Sequence, residues 1–212
     1  MTVHIGDAVR SIAVASVCVA AAACSSSSTA TPGSSAGSRL AVDVGNAPSQ
    51  GPALAPVTVV EFADFECPYC GQEEPVVTQM LSDYAGRIRF VFKEFPLSSI
   101  HPYAELAAEA ALAAKAQGQF WPYHDALYAN QSALARSNLD AYASNLGLDM
   151  TAFDAALDEG TYEADVAADV AQGRSLGVTG TPTFFVNGIA VVGAVPYSQL
   201  QTVIDQQIAA GP

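Results

Sequence analysis

Apolar positions along this chain follow two regimes. Val57–Phe62 (VTVVEF) and Ile88–Phe92 (IRFVF) are short, apolar and β-branched, as buried strands are. Thr183–Val186 and Ile189–Val192 repeat that pattern late in the chain. Asn187-Gly188 between them is the residue pair that favours a two-residue hairpin turn. From about His101 to Gly177 alanine dominates and β-branched runs vanish. That stretch predicts helices over Tyr103–Gln117, Phe120–Ala129 and Tyr162–Leu176. Ser137–Asp140 and Thr151–Asp154 read as N-terminal capping sequences of two more. A helix opens at Cys67-Pro68-Tyr69-Cys70 and runs to about Tyr84, with Pro75 kinking it and Gly86 stopping it. Tyr197–Ala209 is a closing amphipathic helix. The predicted order is strand, helix, strand, all-helical block, hairpin, helix, which is an α/β architecture.

The chain before Val57 follows neither period. Ser11–Ala23 is an unbroken run of apolar and small residues after Arg10, too short to span a bilayer. That pattern is a secretory signal peptide over residues 1–23, and it predicts a protein outside the cytoplasm. Residues 24–56 are rich in Ser, Gly, Ala, Thr and Pro and read as a flexible linker. Residues 57–212 are then the globular part.

Charge removes one class of function. The net charge is −13 and only 8 residues are Lys or Arg, so there is no broad nucleic-acid surface. Half of the 212 residues are hydrophobic, enough for one domain with a substantial core.

The cysteines narrow the picture further. Of 4 in the chain, Cys18 lies inside the signal and Cys24 at its end. The globular part keeps Cys67 and Cys70, too close together to staple distant segments, and that points to chemistry. A C-x-x-C between a strand and a helix puts its first sulfur at the helix N-terminus. Unpaired N–H groups and the helix dipole stabilise a thiolate there. Cys67 is then an exposed nucleophile, and Cys70, about one turn in, resolves the mixed disulfide it forms. Pro68 suits the first helical turn, where its missing N–H costs nothing. A structural zinc site wants four ligands, and only His101 and His124 remain to supply them, so no metal is expected. The remaining competitor is a chance pair of buried thiols. His124, Trp121 and Phe120 are assigned to packing, and His101 to a loop or helix start.

From Val57 to about Ala209 the chain resembles the DsbA-like branch of the thioredoxin superfamily. Glu61, ahead of Cys67, matches the family's buried acidic residue, and Pro75 its active-site helix proline. Gly177–Gly188 (GVTGTPTFFVNG) resembles its cis-proline segment, with Thr181-Pro182 as the cis bond. Gln119–Tyr128 (QFWPYHDALY) is similar to a recurring helix of this branch, and the helical block, about 100–177, to its insertion. The resemblance implies a thioredoxin fold with an all-helical insertion before the cis-proline hairpin. It implies that Glu61 has a raised pKa and assists proton transfer at Cys70. Pro68, Tyr69, Thr181 and Pro182 would line the substrate surface, with Thr181 backbone groups free to pair with a substrate strand.

The function so implied is a thiol–disulfide oxidoreductase, with no cofactor beyond its own disulfide. It would donate the Cys67–Cys70 disulfide to reduced or unfolded exported proteins. A membrane reoxidase of DsbB or vitamin K epoxide reductase type would recharge it. A reductase or isomerase of the same fold is the alternative; a redox-inactive binding module or holdase is another. Only a linker lies ahead of Val57, where isomerases carry a dimerisation domain, so a monomer is expected. Finally, Ala21-Ala22-Ala23-Cys24 followed by Ser25–Ser28 resembles a bacterial lipoprotein signal, implying lipidation of Cys24 and a membrane anchor. Simple cleavage after Ala23 is the competing reading.

Overall fold

The computed structural model describes Thr2 and residues 39–211. Apart from Thr2, the signal peptide lies outside the described residues, as do Cys24 and the linker up to residue 38.

A mixed five-stranded sheet organises the fold, with strand order β1-β3-β2-β4-β5. β2 (Val57–Ala63) and β3 (Ile88–Glu94) run parallel, in register from Val57 opposite Ile88 to Ala63 opposite Glu94. The helix α1 (Pro68–Asp83) connects them. β4 (Thr183–Val186) pairs antiparallel with β2, and β5 (Ile189–Val192) with β4. The hairpin turn has positive φ at both Asn187 and Gly188, as the Asn-Gly pair predicts. Between β3 and β4 come five helices, as the alanine-rich pattern predicts. They are α2 (Ala104–Ala116), α3 (Phe120–Tyr128), α4 (Arg136–Asn145), α5 (Met150–Asp158) and α6 (Glu163–Ser175). α7 (Tyr197–Ala210) ends the domain.

Both faces of the sheet are covered. Val57, Val59, Ile88, Phe90, Phe184 and Val186 pack under α1 and α7, against Val77, Met80, Leu200 and Ile204. Val60, Phe62, Val91 and Phe185 on the other face pack with Phe95, Val178 and Val170 of α6. A further core joins Ala63, Phe65 and Phe92 to α2, α3, α4 and α5 through Phe120, Tyr123, Leu127 and Phe153. The helical block is thus built onto the end of the sheet from which α1 starts.

Three expectations change. The linker reading held residues up to 56 to be unpacked, yet β1 (Ser49–Gln50) pairs antiparallel with β3. Val42, Val44 and Ala47 pack on the sheet, and the Leu40 N–H donates to the Gly188 carbonyl at 2.9 Å. A two-residue strand has no period to read. The other two concern caps. α4 starts at Arg136, so Ser137 is inside it and caps nothing. α5 is capped by Asp149, whose Oδ1 accepts from the N–H groups of Thr151 at 2.9 Å and Ala152 at 3.2 Å. Asp and Thr both suit an N-cap, and backbone conformation decides which one serves.

Candidate active site

β2 ends at Ala63, and Asp64-Phe65-Glu66 turns the chain into α1. Cys67 is the N-cap residue, with extended backbone (φ −71, ψ 120) and no side-chain cap bond. Its carbonyl accepts from the N–H groups of Cys70 at 3.1 Å and Gly71 at 3.3 Å. Gln131, just after α3, holds this turn: its Nε2 donates to the carbonyls of Phe65 and Cys67, both at 2.8 Å. A Cβ at Gly71 would meet the Gln131 amide, so a side chain there would displace Gln131 from this turn. No local signal in the sequence marks Gln131.

The two sulfurs differ sharply. Cys67 is lowered from 9.0 to about 5. The Cys70 thiol donating to it is the largest cause, ahead of burial, which opposes; Thr181 and the backbone N–H groups of Cys70 and Tyr69 add to the lowering. Cys70 is pushed well up by burial first, then by its bond to Cys67 and the Glu61 charge. The Asp64 N–H reaches the Cys70 sulfur at 3.5 Å. Cys67 is not the exposed sulfur expected: only 3 % of the residue is accessible, and its sulfur lies 3.5 Å from the Thr181 carbonyl oxygen. The loop bearing that carbonyl folds over the helix start, and the Thr181-Pro182 peptide is cis. Pro68 is exposed, as is Tyr69 at 59 %, while Thr181 and Pro182 are buried.

Glu61 lies in the interior, fully buried, with neither carboxyl oxygen hydrogen-bonded to protein among the described residues. Burial chiefly, then the charges of Glu74 and Glu73, raise its pKa well above the usual range. Its register opposite Phe92 and Phe184 places it on the sheet face between the α1/α7 core and the helical-block core. Glu73 on α1 accepts from the Val195 N–H at 3.0 Å, and burial raises it to about 7.

Asp64, also fully buried, is a hub that sequence reading missed. Its Oδ1 accepts from the Glu66 N–H at 2.7 Å; its Oδ2 accepts from the Leu97 N–H at 2.8 Å and meets His101 Nδ1 at 2.7 Å. His101 is thus tied to the active-site turn and not a plain loop residue. His124 stands in an aromatic cage of Phe65, Phe92, Phe120, Trp121 and Tyr128, in keeping with packing. Glu74, His124 and Asp125 lie close enough to share a cation, but His124 Nδ1 already bonds Asp125 at 2.9 Å.

The arrangement unites a stabilised thiolate, a second thiol that stays protonated, and a buried carboxyl that can exchange a proton. That is the equipment for thiol–disulfide exchange.

Comparison with known proteins agrees. A family model described as thioredoxin matches residues 43–206. A thioredoxin-like oxidoreductase from Silicibacter pomeroyi superposes with TM-score 0.70 at 35 % identity, over 77 % of this chain and 93 % of that one. Oxidised BdbD of Bacillus subtilis superposes with TM-score 0.71 at 24 % identity, over 77 % and 93 %. The Na(+)/H(+) antiporter NhaA 3 of Salinispora tropica is 51 % identical over 139 residues, 66 % of this chain and 21 % of that protein. The chain therefore spans about a fifth of the length of that curated relative. Among the described residues, no helix is long and apolar enough to cross a membrane. With a family model matched over most of its length and a sheet and helix arrangement shared with a thioredoxin-like oxidoreductase, the chain belongs to the thioredoxin family.

Proposed function

We propose that this protein is an exported dithiol oxidase that passes a Cys67–Cys70 disulfide to reduced or unfolded exported proteins. A substrate thiolate attacks the Cys67 sulfur. The Cys67–Cys70 bond breaks, and Cys70 leaves with the electron pair and takes a proton, with Glu61 as the nearby exchange group. A second substrate thiolate then attacks the substrate sulfur of the mixed disulfide. Cys67 leaves as a thiolate, and the substrate departs oxidised by two electrons. A membrane reoxidase of DsbB or vitamin K epoxide reductase type returns the pair to the disulfide. Lipidation at Cys24 would keep donor and reoxidase on one surface. Ion transport is not carried over from the antiporter relative, of which this chain matches a fifth.

The observation that carries the reading is the low pKa of Cys67, about 5 against 9.0. A thiolate this stable favours the reduced pair and makes Cys67 a good leaving group. At pH 7 this stabilises the reduced pair relative to one with an ordinary thiol and so shifts it towards a stronger oxidant.

Equilibration of the pair with glutathione over a range of redox ratios is the test, supported by Cys70→Ala in cells. The expected result is a potential well above that of thioredoxin, with exported proteins trapped on Cys67 in the variant. A potential as reducing as thioredoxin's would turn the reading to a reductase. An unreacted Cys67 with no trapped partner would turn it to a binding module.

A further inference from the structure

We propose that His101, locked to Asp64, is a positioning residue that holds a positive charge beside Cys67 and so helps set how strongly the pair oxidises. The inference rests on the redox role of Cys67 and Cys70 proposed above. It places part of the control of that role outside the C-x-x-C segment, on the loop between β3 and α2.

The geometry ties one residue to the Cys67 backbone, to the Cys70 sulfur and to the imidazole. The Asp64 carbonyl accepts from the Cys67 N–H at 3.1 Å, and the Asp64 N–H reaches the Cys70 sulfur at 3.5 Å. Its carboxylate meets His101 Nδ1 at 2.7 Å and is fully buried, while the His101 side chain is 15 % exposed. The Leu97 N–H shares the same Oδ2, and the N–H groups of Ile100 and His101 close back on the Leu97 carbonyl at 2.8 and 3.0 Å. The Glu66 carboxylate takes the Tyr103 N–H at 2.6 Å, so a second acid pins the same loop to the active-site turn. His101 therefore has little freedom to swing away from the turn that carries Cys67.

The charges acting on His101 are Asp64 and Glu66 from the turn after β2 and Cys67 from the start of α1. Burial works to lower its pKa, but the Asp64 hydrogen bond and charge, then Cys67 and Glu66, outweigh it and raise the ring above 6.5. A buried carboxylate facing a neutral ring would be an uncompensated charge; facing an imidazolium it is paired. The pair in turn presents positive charge to the Cys67 thiolate, which exists in the reduced protein and not in the disulfide. Reduction and protonation of His101 are then linked. Each favours the other by the same factor, as reciprocity requires. As pH rises through the His101 pKa, the charge is lost and the extra oxidising strength goes with it.

The test has two arms on the full chain. In the native protein, the His101 ring is titrated by NMR in the dithiol and disulfide forms. The expected result is a higher pKa in the dithiol form, and equal values overturn the proposal. In His101→Asn the side-chain amide can still donate to Asp64 but carries no charge. Its Cys67 thiolate is titrated by ultraviolet absorbance, and its pair is equilibrated with glutathione. The Cys67 pKa is expected to rise by about one unit, with the exchange equilibrium about tenfold less oxidising. A Cys67 pKa and equilibrium unchanged in a folded variant leave His101 a structural tether and overturn the proposal. If the variant does not fold, the native titration decides. A native protein that exchanges no disulfides would instead remove the function proposed above, while the ring titration still reports on His101.

Discussion

Replacing Glu61 by Leu should stabilise this protein at neutral pH, by an amount that depends on pH. Glu61 is fully buried, has no protein hydrogen-bond partner among the described residues, and is raised well above the usual carboxylate range, by burial foremost. In the unfolded chain it ionises near pH 4.3. Between that pH and its raised folded value, the native state holds a proton that the unfolded state releases. Stability must then fall with rising pH over that window, by about 1.4 kcal/mol per pH unit from this one group. Even when neutral, the unpartnered carboxyl costs about 1–3 kcal/mol of desolvation. Glu61→Leu removes both costs with a side chain of similar size. Urea unfolding of the native protein and the variant, with the cysteines oxidised in both, from pH 4 to 8 measures the difference. The variant's advantage should be smallest near pH 4 and widen by about 1.4 kcal/mol per unit above it, levelling off at the folded pKa of Glu61. Disulfide exchange should slow at the same time, because Cys70 loses its proton partner. An advantage that is flat across pH, or no advantage at all, refutes the account of Glu61 as a buried, protonated acid.

Two further substitutions probe what positions the site. A Cβ at Gly173 would lie 2.6 Å from Phe95 Cε2 and 3.1 Å from Phe62 Cδ1, so Gly173→Ala should overpack the sheet–α6 core and cost about 1–3 kcal/mol in urea unfolding. No loss of stability would mean that Phe95 turns aside freely. Asp149→Ala removes the cap of α5 and should cost about 1 kcal/mol while leaving the Cys67 pKa where it is. A shifted thiol titration in that variant would couple the helical block to the sulfurs in a way that its packing does not suggest.

Most of the elements were legible because their signals are local. Alternation and β-branching mark β2 and β3, Asn187-Gly188 marks the hairpin, and alanine content marks α2. C-x-x-C at a strand–helix junction singles out the candidate redox pair without any fold. What stayed hidden depends on partners far along the chain. β1 is too short to have a period and exists only because β3 offers it an edge. Ser137 and Thr151 look like caps, yet backbone conformation placed the helix starts elsewhere and gave the α5 cap to Asp149. Alternation could not decide whether Glu61 faces water, because alternation marks an exposed side only when one sheet face is bare, and here α1, α7 and the helical block cover its face while α6 covers the other. Gln131 and His101 carry no motif at all. Their side chains matter only because the helical block and the loop after β3 come to rest against the Cys67 turn. The sequence by itself therefore determined which two sulfurs meet at the start of α1 and the kind of fold that carries them. The tertiary structure decided how unequal those sulfurs are, because thiolate stability is set by burial and by charges that chain distance does not reveal.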